Sequence, residues 1–115
     1  MCAFIVRFCK KRYTNHGYIY SGKYSDCFLE RNNDLFEIRE LNGNVALSFN
    51  DSQIKKMIIL DTYNEKSGRS SILTDTYTVY VRNFTRYKVE LDNGDIFLVS
   101  VPDGYLKNYI DLLLL

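Results

Sequence analysis

The run Leu47-Ser48-Phe49-Asn50-Asp51-Ser52-Gln53-Ile54-Lys55-Lys56-Met57-Ile58-Ile59-Leu60 has a counterpart in Val99-Ser100-Val101-Pro102-Asp103-Gly104-Tyr105-Leu106-Lys107-Asn108-Tyr109-Ile110-Asp111-Leu112. Ser48, Asp51, Lys55, Ile58 and Leu60 of the first recur as Ser100, Asp103, Lys107, Ile110 and Leu112 of the second. In each run an Asp stands where its side chain can cap the N-terminus of a helix. Apolar residues follow at helical spacing, as Ile54, Met57 and Ile58 and then as Leu106, Tyr109, Ile110 and Leu113. Two amphipathic helices are predicted.

Each run is preceded by a hairpin signal. Residues 35–41 and 45–49 flank Asn42-Gly43, and residues 87–91 and 96–101 flank Asp92-Asn93-Gly94. Asn-Gly supplies the positive φ angles of tight hairpin turns. Further strands are expected at 3–9, where Phe4, Val6 and Phe8 alternate with their neighbours, at 18–20, at 27–29, and at 76–81, the last pairing with the second hairpin. The expected fold class is therefore α+β, an antiparallel sheet of hairpins with two amphipathic helices. The recurrence suggests a duplicated strand-hairpin-helix unit, with halves 1–63 and 72–115 and a polar connector at 64–71. Against duplication, any two hairpin-to-helix junctions share turn and cap residues for the same physical reasons.

A chain of 115 residues suits a single domain over 1–115. Its 46% hydrophobic and 25% charged residues are the balance of an ordinary globular protein, which excludes the disordered and fibrous classes. Ten Tyr and seven Phe against no Trp favour sheet over helix. No apolar run approaches the roughly 18 to 20 residues that cross a bilayer as a helix, so no membrane partner and a cytoplasmic location are expected. Cys2, Cys9 and Cys27 are odd in number and lack CxxC spacing, which indicates neither a disulfide framework nor a zinc knuckle.

The catalytic inventory is thin. His16 is the only histidine, and neither a nucleophile elbow nor a glycine-rich phosphate loop occurs. Asp34, Asp51, Asp92, Asp95 and Asp103 stand at turns and caps, where Asp bonds backbone amides. No catalytic, metal-binding or cofactor-binding residue is assigned, and no enzyme is expected.

Charge is unevenly spread. Residues 1–25 hold Arg7, Lys10, Lys11, Arg12 and Lys23 and no acid, and residues 66–90 hold Lys66, Arg69, Arg82, Arg86 and Lys88 against Asp75 and Glu90. With interleaved aromatics, these segments are what a nucleic-acid surface uses, through phosphate neutralisation and base stacking. A net charge of only +1 weakens that reading. Tyrosines equally suit protein interfaces, and one helix face cannot bury four successive leucines at 112–115. Leu106, Tyr109, Ile110 and Leu113 are expected in the core. Tyr105, Tyr109, Leu112 and Leu115 are expected to serve an association surface for a protein partner or a homodimer.

The sequence thus predicts a small non-enzymatic protein that inhibits or regulates a protein partner by surface binding. Near-absent Ala with abundant Asn, Ile, Lys and Tyr fits an AT-rich bacterial or phage genome, and with it a phage-encoded inhibitor of a host defence or regulatory complex. The alternative is a nucleic-acid-binding module using Arg7, Lys10, Lys11, Arg12, Lys23, Arg82 and Arg86. A third reading is a metal-free ribonuclease built on His16, Tyr13 and nearby Lys or Arg.

Overall fold

The structure is a computed structural model that describes residues 16–71, 73 and 76–115. The strand expected at 3–9, the cations Arg7, Lys10, Lys11 and Arg12, and Tyr13 lie outside the described residues. The elements are β1 (His16–Gly22), β2 (Phe28–Asn32), β3 (Leu35–Arg39), β4 (Val45–Phe49), a single 3-10 turn (Asp51–Gln53), β5 (Ile54–Ser71), β6 (Thr76–Leu91), β7 (Ile96–Pro102) and α1 (Tyr105–Leu113). All seven strands form one antiparallel sheet in the order β4-β3-β2-β1-β7-β6-β5. Both predicted hairpins are present as β3–β4 and β6–β7. Their turns carry Gly43 at φ 90° and Gly94 at φ 94°, which glycine adopts without a Cβ clash. The side chains of Asn42 and Asn93 accept from the Asn44 and Asp95 amides, closing each turn.

One face of the sheet is the core. Ile19, Leu29, Phe36, Ile38, Phe49, Tyr87, Val89, Leu91, Phe97, Val99 and Val101 are buried there, under Leu106 and Ile110 of α1. Alternation is visible along β6, where Tyr87, Val89 and Leu91 are buried and Arg86, Lys88 and Glu90 point the other way. Asp111 locks the helix down, accepting from the Tyr87 hydroxyl at 2.7 Å and from Lys107 at 2.6 Å.

The expectation of two helices is wrong: α1 is the one α-helix among the described residues, and 54–60 is the start of β5. The β-branched Ile54, Ile58, Ile59 and Thr62 suit a pleated strand, and β6 offers a complete ladder, with Lys56 opposite Glu90, Met57 opposite Val89 and Ile58 opposite Lys88. The cap signal at Asp51 is absorbed by the 3-10 turn, where the Gln53 side chain accepts from the Asn50 amide. The carboxylate of Asp51 instead takes Arg31 at 2.9 Å and the Tyr109 hydroxyl. The duplicated unit falls with the first helix, because one run ends in strand and the other in helix. Residues 64–71, read as a connector, are the outer half of β5, and 76–81 belong to the same continuous strand as 87–91.

That continuity creates the most unusual feature of the fold. β7 pairs with β6 only from Phe84 to Glu90, so among the described residues 64–71 and 76–83 pair with each other alone and form a two-stranded ribbon. Eighteen residues of strand, two of them in bulges, span roughly 50 Å at about 3.3 Å per residue. This ribbon sets the 55 Å long axis of a body otherwise 28 by 23 Å.

Candidate association surface

Among the described residues, β4 and β5 are the two edges of the sheet. β4 has five residues, short enough to blunt an edge, whereas β5 is long and proline-free. Its middle carries Ile58, Ile59 and Leu60, of which Ile59 is 53% exposed. The register with β6 shifts there. Ile59 faces Tyr87 and Asp61 faces Arg86, leaving Leu60 as the extra residue of a β-bulge.

On the helix side of this edge lies an open groove of about 480 Å³, walled by Ile59, Thr62 and Thr85 of the sheet and by Lys107, Leu114 and Leu115 of the C-terminal segment. Leu112 is 66% and Leu115 98% exposed. Leu112 and Leu115 therefore lie beyond the core stripe, while Leu106 and Ile110 lie in it and Leu113 is left exposed at the end of α1. Tyr105 is exposed at the first turn. Tyr109 is half-buried, bonded to Asp51 and covered by the Arg31 guanidinium 3.6 Å from its ring, so its side chain serves the seating of α1.

The groove's polar rim is settled within the fold. Burial pushes the Asp111 carboxyl up, but bonds from Lys107 and Tyr87 outweigh it and hold the group below the ordinary carboxylate value. Burial and the bond to Asp111 push the Tyr87 phenol well above its usual range.

The opposite face of the sheet collects cations and rings. Tyr63 stacks on Phe84 at 5.1 Å, Arg86 lies 4.1 Å over Tyr63 and 5.9 Å from Tyr20, and Arg82 lies 5.3 Å over Phe84. Arg82 and Arg86 thus share one face of β6. Lys23 is elsewhere, at the β1–β2 turn, paired with Asp95 at 3.3 Å. Arg86 is paired with Asp61 at 2.9 Å, and on β2 and β3 Arg39 is held by Glu30 and Glu37. Cations already matched to carboxylates attract phosphate weakly, since a ligand must displace an existing partner. His16 sits on β1 beside Glu30 at 3.2 Å. Among the described residues no three His, Cys, Asp or Glu side chains converge as a metal site.

No family model, curated protein or solved structure matches this chain.

The sequence singles out Leu112 and Leu115, which the structure leaves exposed, and does not single out Ile58, Ile59 and Leu60 on the β5 edge. Ile58 was assigned to a helix core, and Ile59 and Leu60 received no role. A signal was present. Three successive apolar residues run into Asp61-Thr62-Tyr63 with no Gly or Pro before Gly68, which continues a strand more readily than it ends a short helix.

Proposed function

We propose that this chain is a protein-binding module that acts by occupying a partner's surface, and that the partner is taken as an extended strand along the β5 edge. The observation carrying this reading is the run of exposed Ile58, Ile59 and Leu60 on a strand edge that no described residue pairs, beside the exposed leucines of the C-terminal segment. An open edge offers a row of backbone donors and acceptors, and a groove beside it gives side-chain selectivity; this is how sheet-edge recognition domains take extended peptides. The fit is chemical as well as geometric. Apolar side chains of an added strand would enter the groove between Ile59 and Leu115, with Lys107 and Asp111 at its rim.

Nucleic-acid binding is the weaker reading because Arg86 and Lys23 are matched by Asp61 and Asp95. The test is selection from a random library of twelve-residue peptides, with a single-stranded RNA homopolymer titrated in parallel at low salt. Selected peptides are expected to alternate apolar residues and to lose affinity for an Ile59→Lys variant. Peptides that bind that variant equally well, or RNA binding without peptide binding, would overturn the proposal.

A further inference from the structure

The bulge at Leu60 makes the β5 edge complementary to itself. Side chains opposite Lys88, Arg86, Phe84 and Arg82 share one face, so Ile58, Asp61, Tyr63 and Glu65 lie together, as does Lys56 opposite Glu90. Met57, Ile59, Thr62 and Asn64, opposite Val89, Tyr87, Thr85 and Asn83, share the helix face. Were Leu60 a regularly alternating residue instead of a bulge, Lys56 and Glu65, nine positions apart, would fall on opposite faces.

Two copies of β5 set antiparallel about a twofold axis between Leu60 and Asp61 oppose Lys56 to Glu65, Ile58 to Tyr63 and Ile59 to Thr62. These three pairs are each matched in face, and at the axis the register sets the bulge residue Leu60 against Asp61. In a strand the face of a side chain and the direction of its own N–H and C=O are coupled, so matched faces are also what an antiparallel ladder requires. Two Lys56–Glu65 ion pairs close the seam symmetrically. Neither side chain has an ion-pair partner among the described residues, and both are exposed. The neighbouring Lys55, which this register sets near Lys66, is already drawn to Glu90 at 3.6 Å.

We infer that the strand taken by the β5 edge is β5 of a second copy, giving an isologous dimer with one sheet continuous through both chains. The inference rests on the edge-binding reading and names its occupant. It commits to the register in which Lys56 meets Glu65.

The test is charge exchange. Lys56→Glu and Glu65→Lys are made separately, their folding is checked by circular dichroism, and mass is followed by light scattering across concentration. The parent is expected to be dimeric at high concentration. Each substitution alone turns two attractions into two repulsions and should raise the dimer Kd about tenfold or more. Mixing the two variants should restore association as a 1:1 heterodimer, since each copy then supplies what the other lacks. A parent that stays monomeric overturns the dimer, and it leaves the edge-binding reading standing if library peptides still bind. A dimer that neither substitution weakens, or variants that fail to complement, overturns the register.

Discussion

At Gly22 the backbone holds φ 106° and passes so close to β7 that a Cβ would sit 2.4 Å from the Ile96 carbonyl oxygen. Gly94 has a similar φ of 94° but nothing within 4 Å. Gly94→Ala is therefore expected to cost about 1 kcal/mol from backbone strain alone, and Gly22→Ala about 3 kcal/mol, because strain and a backbone clash act together. Urea midpoints of the two variants check the order; equal losses would refute the close approach. Titratable residues set stability at both ends of the pH scale. Burial, with the bond to Asp95, pushes the Tyr24 phenol up to about 12, and Tyr87 is raised as well. A raised phenol stabilises the fold fully below its ordinary value of 10.0 and loses that contribution as pH climbs through the folded value. The Tyr24 bond, and then Lys23, lower Asp95, and Asp111 is lowered too. A lowered carboxylate stabilises above its ordinary 3.8 and loses its contribution as pH falls through the folded value. Thermal melts should thus decline between pH 10 and 12 and again below pH 4, and Tyr87→Phe should flatten the alkaline decline while lowering Tm at neutral pH through the lost bond to Asp111.

Among the elements, the hairpins were legible and the start of β5 was not. Gly43 and Gly94 adopt the positive φ that closes each hairpin turn, and Asn42 and Asn93 bond the amides two residues on, so local chemistry decides them. Residues 54–60 satisfy two periods at once. Ile54, Met57 and Ile58 recur as on a helix face, yet Met57 and Ile59 also alternate with Lys56 and Ile58 as on a strand, and the choice falls to β6, thirty residues further along the chain. α1 was legible because Pro102 and Gly104 end β7 and Leu106 and Ile110 then recur one helical turn apart, both buried. The outer ribbon has no third strand among the described residues. A two-stranded ribbon without a third strand or a packed face is marginal in water, so amides at 65–68 and 79–82 should exchange with solvent at least tenfold faster than those at 86–90 in the sheet interior. Native-state hydrogen exchange reads this directly, and uniform protection along β6 would argue that something covers the ribbon.

For the whole molecule, the proposed association surface was only half legible, since its candidate residues are far apart in sequence. Leu112 and Leu115 announce themselves as leucines beyond a full helical stripe, whereas Ile59 becomes an exposed edge residue only once the strand order is known. Replacing Leu112 and Leu115 together by Ser should keep Tm within a few degrees, because exposed substitutions away from the core cost little, and should weaken association measured by light scattering. A large loss of Tm would instead place those leucines in the core. The strand order carries a kinetic consequence. β1–β4 is a meander of neighbours and β5–β7 another, but the centre of the sheet joins them by setting Tyr18 opposite Ser100 and Ile19 opposite Val99. Closing that seam brings the two ends of the described chain together, so it costs the most loop entropy of any strand pairing in the fold. The two meanders can form early and separately, and the rate at which the protein becomes native is set at their junction; Ile19→Val and Val99→Ala should accordingly slow refolding as well as hasten unfolding, while Ile38→Val, inside one meander, should act differently on the two limbs of the chevron.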